Sequence, residues 1–349
     1  LTVIGRRGSF RRLDPFKCST NGIGVPQAIE PKKFVIAVDP KAPPAGLARA
    51  VLAIGNFDGA HLGHRAVIGR TQRLAAELGA PSAVLTFEPH PADFFAGRPV
   101  VFRLSPKAVK ARALQQFGLD GAIFLTFDAS LAALSAEEFV SKVLVARLGV
   151  AAIVIGWDFH FGKGRSGSPA FLKEAGARHG FRVDIIDKVE AAGTSATDAI
   201  SSTAIRRALE AGEVEAAARL LGRDYAVVGT VIPGRKLGRT LGVPTANIAL
   251  EASNRLAHGI YAVEVFIDGA RFGGVASFGT RPTIDDGPPL LETFLFDFDG
   301  DLYGQTIEVA FVRRIRGEQK FDGLDALAAE MERDKEKARA ILAERAALA

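Results

Sequence analysis

Cysteine occurs once in the 349 residues, as Cys18. A single thiol excludes an internal disulfide and any zinc site built on paired cysteines; it fits a reducing compartment, and a cytoplasmic location is expected. No apolar run approaches the ~18 residues of a membrane span, so no membrane partner is expected. The chain also has no GxxxxGK[ST] segment, which leaves P-loop chemistry without a basis. An excess of acidic charge is missing too, the formal net charge being +5. That excess is local. Residues 1–33 carry seven basic groups (Arg6, Arg7, Arg11, Arg12, Lys17, Lys32 and Lys33) against two acidic ones, whereas residues 34–349 balance at 37 against 37. A nucleic-acid-binding regulator would rest on this arm alone, and no nucleic-acid partner is expected. The arm shows no periodicity and no secretory apolar core. A flexible arm, a translated upstream stretch and a targeting remnant all fit it, and a poorly ordered tail without catalytic role is expected. The chain as a whole has the composition of a soluble globular protein, with 48% hydrophobic and 24% charged residues, and its length suggests two domains.

What is present is concentrated in a decamer. Residues 55–64 read GNFDGAHLGH, between a strand-like run, Ala50–Ile54, and a segment of helical apolar spacing, Leu62–Leu78. Strand, glycine turn and helix together present backbone N–H groups and a positive dipole end to an anion. His61 and His64, three apart, are expected to share a helix face and point at that anion, where imidazoles donate to phosphate oxygens. A zinc-binding pair and two ordinary surface histidines are the alternatives, and zinc would need further ligands. Asn56 and Asp58 would shape the turn.

From residue 50 to about 212 strands and helices alternate. Strand-like runs at Ala50–Ile54, Ser82–Phe87, Gly121–Leu125, Ala151–Ile155 and Phe181–Ile186 enclose helical segments near Leu62–Leu78, Lys107–Phe117, Ala136–Leu148 and Ala170–His179. This predicts a Rossmann-like α/β domain with a parallel sheet, over residues 34–212. The unusual residues follow strands: GNFDGAHLGH, EPHP (88–91), GWDFHFGKGRSG (156–167) and ISSTAIRRAL (200–209). Ligands bind at that end of an open α/β sheet. Glycines 162, 164 and 167 would let the backbone approach a ligand, with Lys163 and Arg165 supplying cations, although a solvated basic loop fits equally. Ser202 and Thr203 are expected to cap a helix that carries Arg206 on the same face as Thr203, and a cap is compatible with phosphate binding.

After a short helical linker, 213–222, the pattern changes. Strands are expected at Tyr225–Ile232, Ile260–Ile267, Arg271–Phe278, Leu290–Phe298 and Gln305–Val312, with one long helix, Leu324–Leu348. Strands first and one helix last predict a small antiparallel β-barrel domain with a C-terminal helix, over residues 223–349. In GRKLGRTLGVPTANI (234–248), Gly234, Gly238 and Gly242 with Arg235, Lys236 and Arg239 suit a flap over phosphates, or a plain hairpin loop. Thr245 and Asn247 are small oxygen ligands suited to Mg²⁺ when phosphate completes the shell. Alternation places Glu292 on one face with Leu290, Phe294, Phe296 and Phe298, where desolvation would raise its pKa towards a useful base; a solvent-reaching edge glutamate is the other reading.

GNFDGAHLGH, TFEPHP, GWDFHFGKGRSG and ISSTAIR, in this order, resemble the adenylyltransferase module of prokaryotic bifunctional riboflavin kinase/FAD synthetases. GTVIPGRKLGRTLGVPTANI, GIYAV (259–263), GTRPT (279–283), LETFLFDFDGDLYG (291–304) and RGEQKF (316–321) resemble the riboflavin kinase module of the same family. The resemblance implies phosphorylation of riboflavin to FMN in the C-terminal domain, then transfer of AMP from ATP to FMN, giving FAD and pyrophosphate. ATP is then co-substrate at two sites, Mg²⁺ the cofactor, and riboflavin, FMN and FAD the small-molecule partners. It also implies roles. His61 and His64 would stabilise the transferring phosphoryl group; Asn56, Asp58, Asp158, Arg165, Ser202, Thr203 and Arg206 would bind the nucleotide. In the barrel, Gly234, Lys236, Gly238 and Arg239 would close over ATP, Thr245 and Asn247 would hold the metal, Glu292 would be the base, and Arg281 and Thr283 would help form the flavin site. The chain departs from the family at Phe294, often His there, at Glu330, often Gln, and in its N-terminal extension. The oligomeric state stays open.

Overall fold

A computed structural model of the chain describes residues 34–187, 200–233, 245–281 and 285–348. The N-terminal arm, the Gly-rich segment with Gly234, Lys236, Gly238 and Arg239, and Thr283 lie outside the described residues.

The first lobe is a six-stranded parallel sheet. Its strands are β1 (Val35–Val38), β2 (Val51–Ile54), β3 (Ser82–Glu88), β4 (Gly121–Thr126), β5 (Ala152–Gly156) and β6 (Arg182–Ile186), in spatial order β1-β4-β3-β2-β5-β6. β2 is buried along its whole length because both faces are covered. Its alternate residues feed two cores, Leu52 and Ile54 into one, Val51 and Ala53 into the other. Helices α1 (Leu62–Leu78) and α3 (Lys107–Gln116) cover one face through Val67, Ile68, Leu74, Ala111 and Leu114. The other face takes α5 (Ala136–Glu138, continued in a wider helical turn through Phe139–Arg147) and α6 (Pro169–His179). Short α2 (Pro91–Ala96) and α4 (Ala129–Ala133) cap the loops after β3 and β4. β1 lies outside the strands expected from the sequence: it is four residues long, with Ile36 and Val38 exposed.

Helices α7 (Ser202–Ala211) and α8 (Val214–Leu221) lead into the second lobe. There β7 (Tyr225–Ile232), β8 (Ala246–Ala249), β9 (Gly259–Ile267), β10 (Ala270–Arg281), β11 (Asp285–Leu295) and β12 (Thr306–Arg316) form a closed barrel in the order β10-β11-β8-β7-β12-β9. Its interior is filled by Val227, Ile248, Tyr261, Val263, Phe278, Leu291, Val309 and Phe311. Helix α9 (Leu324–Leu348) lies outside, burying Ala338 against Ala262 and Phe296. Arg316, at the end of β12, locks the helix by a two-pronged bond to Asp334, its Nη2 standing 2.7 Å from Oδ2. Two expectations need correcting. The end of the PTANI motif is a strand, β8, and not part of a flap. β11 stops at Leu295, so Phe296 and Phe298 leave it: Phe296 turns under α9, while Phe298 packs edge-on against Phe272. No helix among the described residues is long and apolar enough to cross a membrane.

Candidate active sites

The strand order reverses between β2 and β5, so the crevice at their carboxyl ends is a topological switch point. The loops on either side of it are Gly55–His61 and Trp157–Ser168. The first is a turn under tension, with positive φ at Phe57 (48°), Gly59 (81°) and Ala60 (42°). Each non-glycine residue there costs roughly 1 kcal/mol, so other contacts must hold it. Phe57 is buried beneath Gly55, and its ring meets that of His64 at 5.0 Å. The Asp58 carboxylate, 2% exposed, accepts from the backbone N–H groups of Leu104 (3.1 Å) and Ser105 (2.9 Å) and from Arg206 Nη2 (2.6 Å). Ser202 Oγ donates to the Asp58 carbonyl at 2.9 Å, and Gly59 N–H donates to Ser105 Oγ at 2.7 Å. From the far side Arg223 donates to the carbonyls of Gly59 (2.7 Å) and Ala60 (3.1 Å).

This scaffold places the histidines differently from the expected shared helix face. His61 has extended backbone and is the N-cap of α1, while His64 sits in its first turn. Each backbone N–H donates to the other ring's Nδ1 at 3.3 Å, and the rings stack with centroids 3.7 Å apart. It is a capping box in which imidazoles do what Ser and Glu usually do. The exchange fixes the tautomer: with both Nδ1 atoms accepting, the proton of each neutral ring is on Nε2. Burial holds His61 neutral by lowering its pKa to about 4, with Arg206 and Arg223 adding to the effect. His64 lies well below the ordinary value, first through burial and then through His61, Lys110 and Arg223. Two Nε2–H donors therefore sit at a helix N-terminus surrounded by cations.

EPHP supplies the next layer. His90 caps α2, its Nδ1 accepting from Ala92 N–H at 3.2 Å, while Nε2 lies 3.2 Å from the Asn56 amide. The backbone of Asn56 is held by Thr86, whose Oγ1 donates to its carbonyl at 3.0 Å. Lys110, 1% exposed, lies behind, with Nζ 3.7 Å from Glu88 Oε2; Arg103 clasps the other oxygen of that carboxylate at 2.7 Å. Sequence reasoning gave no role to His90, Arg103, Lys110 or Arg223. The available signal was the EPHP motif itself; the other three are ordinary helix or loop cations until the fold brings them in.

The remaining residues of the set fall nearby but differently. The helix cap is Ser201, one residue before the expected pair: its Oγ accepts from Ala204 N–H at 3.2 Å. Ser202 is thereby released to brace the turn, Thr203 is exposed, and Arg206 reaches Asp58 and, at 2.8 Å, the Phe102 carbonyl. Asp158 and Arg165 are exposed on the loop across the switch point, beside Trp157, which is 52% exposed. Of the loop's glycines, Gly162 is needed where the backbone passes Ser135 and Ala136, and Gly167 where it lies on the Phe161 ring; both serve packing rather than approach to a ligand.

In the barrel, β8 and β11 pair so that Asn247 stands directly across from Glu292, and Glu292 is flanked on the other side by Ser277 of β10. Cross-strand partners share a face, so two residues 45 positions apart in the sequence meet. Leu291, Thr293 and Leu295 point into the barrel; Glu292 and Phe294 point out. The polar neighbours Asn247 and Ser277 flank Glu292, whereas Phe294 and Phe296 turn to α9, under Lys335 and Arg339 at 4.6 and 4.1 Å. Asn247 is 5% exposed and its Nδ2 donates to the Thr245 carbonyl at 3.3 Å. Arg281 ends β10, paired in register with Asp285. No group of three or more His, Cys, Asp or Glu among the described residues could hold a metal by itself. Thr245 and Asn247 carry oxygen donors of the kind that binds Mg²⁺ only together with phosphate and water.

Comparison with known proteins matches the two lobes separately. A family model described as FAD synthetase matches residues 44–204, and one described as riboflavin kinase matches residues 221–342. The chain is 44% identical over 294 residues to the bifunctional riboflavin kinase/FMN adenylyltransferase of Pseudomonas fluorescens, covering 84% of this chain and 93% of that one. It is 41% identical to the Escherichia coli K12 protein of the same name (83% and 91% covered) and 36% identical to that of Bacillus subtilis (83% and 92% covered). A crystal structure from Streptococcus pneumoniae, named as a macrolide-efflux protein, superposes with a TM-score of 0.75 at 31% identity, over 88% of this chain and 99% of that one. With both modules present in order and near full-length coverage, the chain belongs to the bifunctional riboflavin kinase/FMN adenylyltransferase family.

Proposed function

We propose that the chain makes FMN and then FAD in two ATP-dependent steps at separate sites: kinase chemistry in residues 223–349, adenylyl transfer in residues 34–212, with 213–222 as linker. For adenylyl transfer, the observation that carries this reading is the stacked pair of imidazoles at the switch point, each with Nδ1 accepting the other residue's backbone N–H and Nε2 left to donate. In the second step the FMN phosphate attacks the α-phosphorus of ATP and pyrophosphate leaves, so no enzyme nucleophile is needed. The protein's part is to aim donors at oxygens whose charge grows in the transition state, and the two Nε2–H groups suit that part. Thr203, Asp158 and Arg165 are assigned to the nucleotide, while Asn56, Asp58, Ser202 and Arg206 keep the turn in shape.

In the first step Glu292 takes the proton of the riboflavin 5′-hydroxyl as the hydroxyl oxygen attacks the γ-phosphorus of ATP and ADP leaves. Thr245 and Asn247 would hold Mg²⁺, which when bound neutralises polyphosphate charge. Gly234, Lys236, Gly238 and Arg239 are assigned to the nucleotide, and Arg281 and Thr283 to the flavin.

The test is a time course with riboflavin, ATP and Mg²⁺, resolved by chromatography. FMN should rise first and FAD follow. His64→Ala should let FMN accumulate while FAD formation falls by about 10²–10³-fold, the usual cost of one such donor. Glu292→Gln should stop FMN formation yet leave added FMN convertible to FAD. Riboflavin left untouched by the wild-type chain, or both activities lost together in either variant, would count against two separate sites.

A further inference from the structure

Arg223 belongs by position to the kinase half: it precedes β7 and falls inside the span matching riboflavin kinase, 221–342, outside the 44–204 that match FAD synthetase. Its guanidinium nevertheless ends at the other half's anion-binding turn, on the carbonyls of Gly59 and Ala60. We infer that Arg223 is a positioning residue for adenylyl transfer, contributed by the kinase half of the chain, and that it sets the aim of the His61–His64 pair. This inference rests on the proposed adenylyl-transfer reading of that turn.

The route is short and covalent. The Ala60 carbonyl and the His61 N–H belong to one planar peptide unit. Holding the carbonyl fixes the direction of the N–H, and that N–H donates to His64 Nδ1. The bond to Nδ1 keeps the His64 proton on Nε2 and sets the plane of the ring. Arg223 thus acts on the ring through one peptide plane and one hydrogen bond. The turn does not hold its shape unaided, since Phe57, Gly59 and Ala60 all have positive φ. Asp58, Ser105 and Ser202 hold its first part, and Arg223 supplies the side-chain donors to the carbonyls of Gly59 and Ala60.

The charge around Arg223 points the same way. Among the described residues its hydrogen-bond partners are two neutral carbonyls and not a carboxylate. Arg65 stands near enough to oppose its charge, with Glu308 a weaker counterweight. A half-buried cation so lightly compensated is stabilised by an anion arriving beside it, as the phosphates of a nucleotide at the N-terminus of α1 would.

Arg223→Gln and Arg223→Lys in the full-length chain test this, with FMN formation from riboflavin and FAD formation from FMN assayed separately. Arg223→Gln should lower kcat for FAD formation about 10–100-fold, the scale of a roughly 1 Å misplacement, with KM for FMN changed less than about threefold. FMN formation should stay within about twofold of wild type. Arg223→Lys, keeping the charge without the two-pronged grip, should fall between. Normal FAD formation in Arg223→Gln, or parallel loss of both activities, would overturn the assignment. A wild-type chain unable to adenylylate FMN would instead overturn the underlying reading. The placement of Arg223 is then judged from amide exchange at Ala60, His64 and Arg65, which Arg223→Gln should accelerate about tenfold and which must not stay unchanged.

Discussion

Locating a proton on a histidine ring turns it from an ambiguous group into a defined donor, and in the 55–64 turn that location has a thermodynamic consequence. His61 is 6% exposed and held neutral, with its pKa lowered from 6.5 to about 4. Unfolding returns the ring to about 6.5, so between those values the unfolded chain binds the extra proton. Stability contributed by the neutral ring is therefore complete above pH 6.5 and is lost as pH falls towards 4. From pH 7 to pH 5 the loss for His61 is on the order of 2 kcal/mol. Urea unfolding at the two pH values measures it. His61→Asn keeps a side chain able to cap the helix, and its unfolding midpoint should drop less on acidification than that of wild type; an identical drop would remove His61 from the account. The residue types of this site, but not their partners, were visible in the sequence. The spacing of His61 and His64 showed the pair. It could not show that one is a cap and the other its reciprocal partner, because that depends on where α1 begins, a matter of one residue. The cap at Ser201, rather than at Ser202 and Thr203, is the same one-residue ambiguity.

Elements were legible where their period was long. α1 and α9 begin and end where their apolar spacing does, and the buried parallel strands stand within a residue or two of the apolar runs that announce them. The strands that escaped, β1 and β8, have four residues each, as β2 does, but neither is followed by a motif and helix that mark it as GNFDGAHLGH and α1 mark β2. β8 also follows a stretch of Gly, Pro and Thr that reads as loop, and its strand character comes from β7 and β11 on either side. Its place depends on Gly229 of β7, where an added Cβ would lie 2.2 Å from Ile248 Cγ2. Gly229→Ala forces the Ile248 side chain to shift, and β8 is expected to move outward with it, carrying Asn247, the residue before Ile248. Overpacking of this kind costs about 1–3 kcal/mol. The variant should melt at lower temperature and lose FMN formation more than FAD formation, because the displaced strand carries the proposed metal ligand. Equal loss of both activities would mean that strand position is not what the kinase step depends on.

At the scale of the whole molecule, the two lobes are distinct in architecture and the sheet keeps two cores of its own, yet a third cluster spans the junction. Phe102 and Leu104, on the connection between α2 and α3, and Ile205, Leu209, Val214 and Leu221 of α7 and α8 share one apolar cluster with the barrel interior. The Phe102 ring meets Tyr225 of β7 edge-on at 6.1 Å. Around this shared core, Arg206 bonds the Phe102 carbonyl, Arg223 reaches the 55–64 turn, and Arg112 of α3 pairs with Glu308 of β12 at 2.5 Å. Cooperative unfolding follows from shared burial rather than from topology, so both lobes should unfold in one transition. The sequence provides separate reporters. The single tryptophan, Trp157, is in the sheet lobe, and all three tyrosines, Tyr225, Tyr261 and Tyr303, are in the barrel half. Tryptophan emission and near-ultraviolet tyrosine dichroism should give coincident urea midpoints, with a ratio of calorimetric to van't Hoff enthalpy near about 1. Phe102→Ala removes a fully buried ring at the junction and should cost about 3–5 kcal/mol. It should also separate the two midpoints, the tryptophan signal and the tyrosine signal no longer moving together. Two transitions already present in the wild-type chain would show that the shared cluster does not bind the lobes into one folding unit.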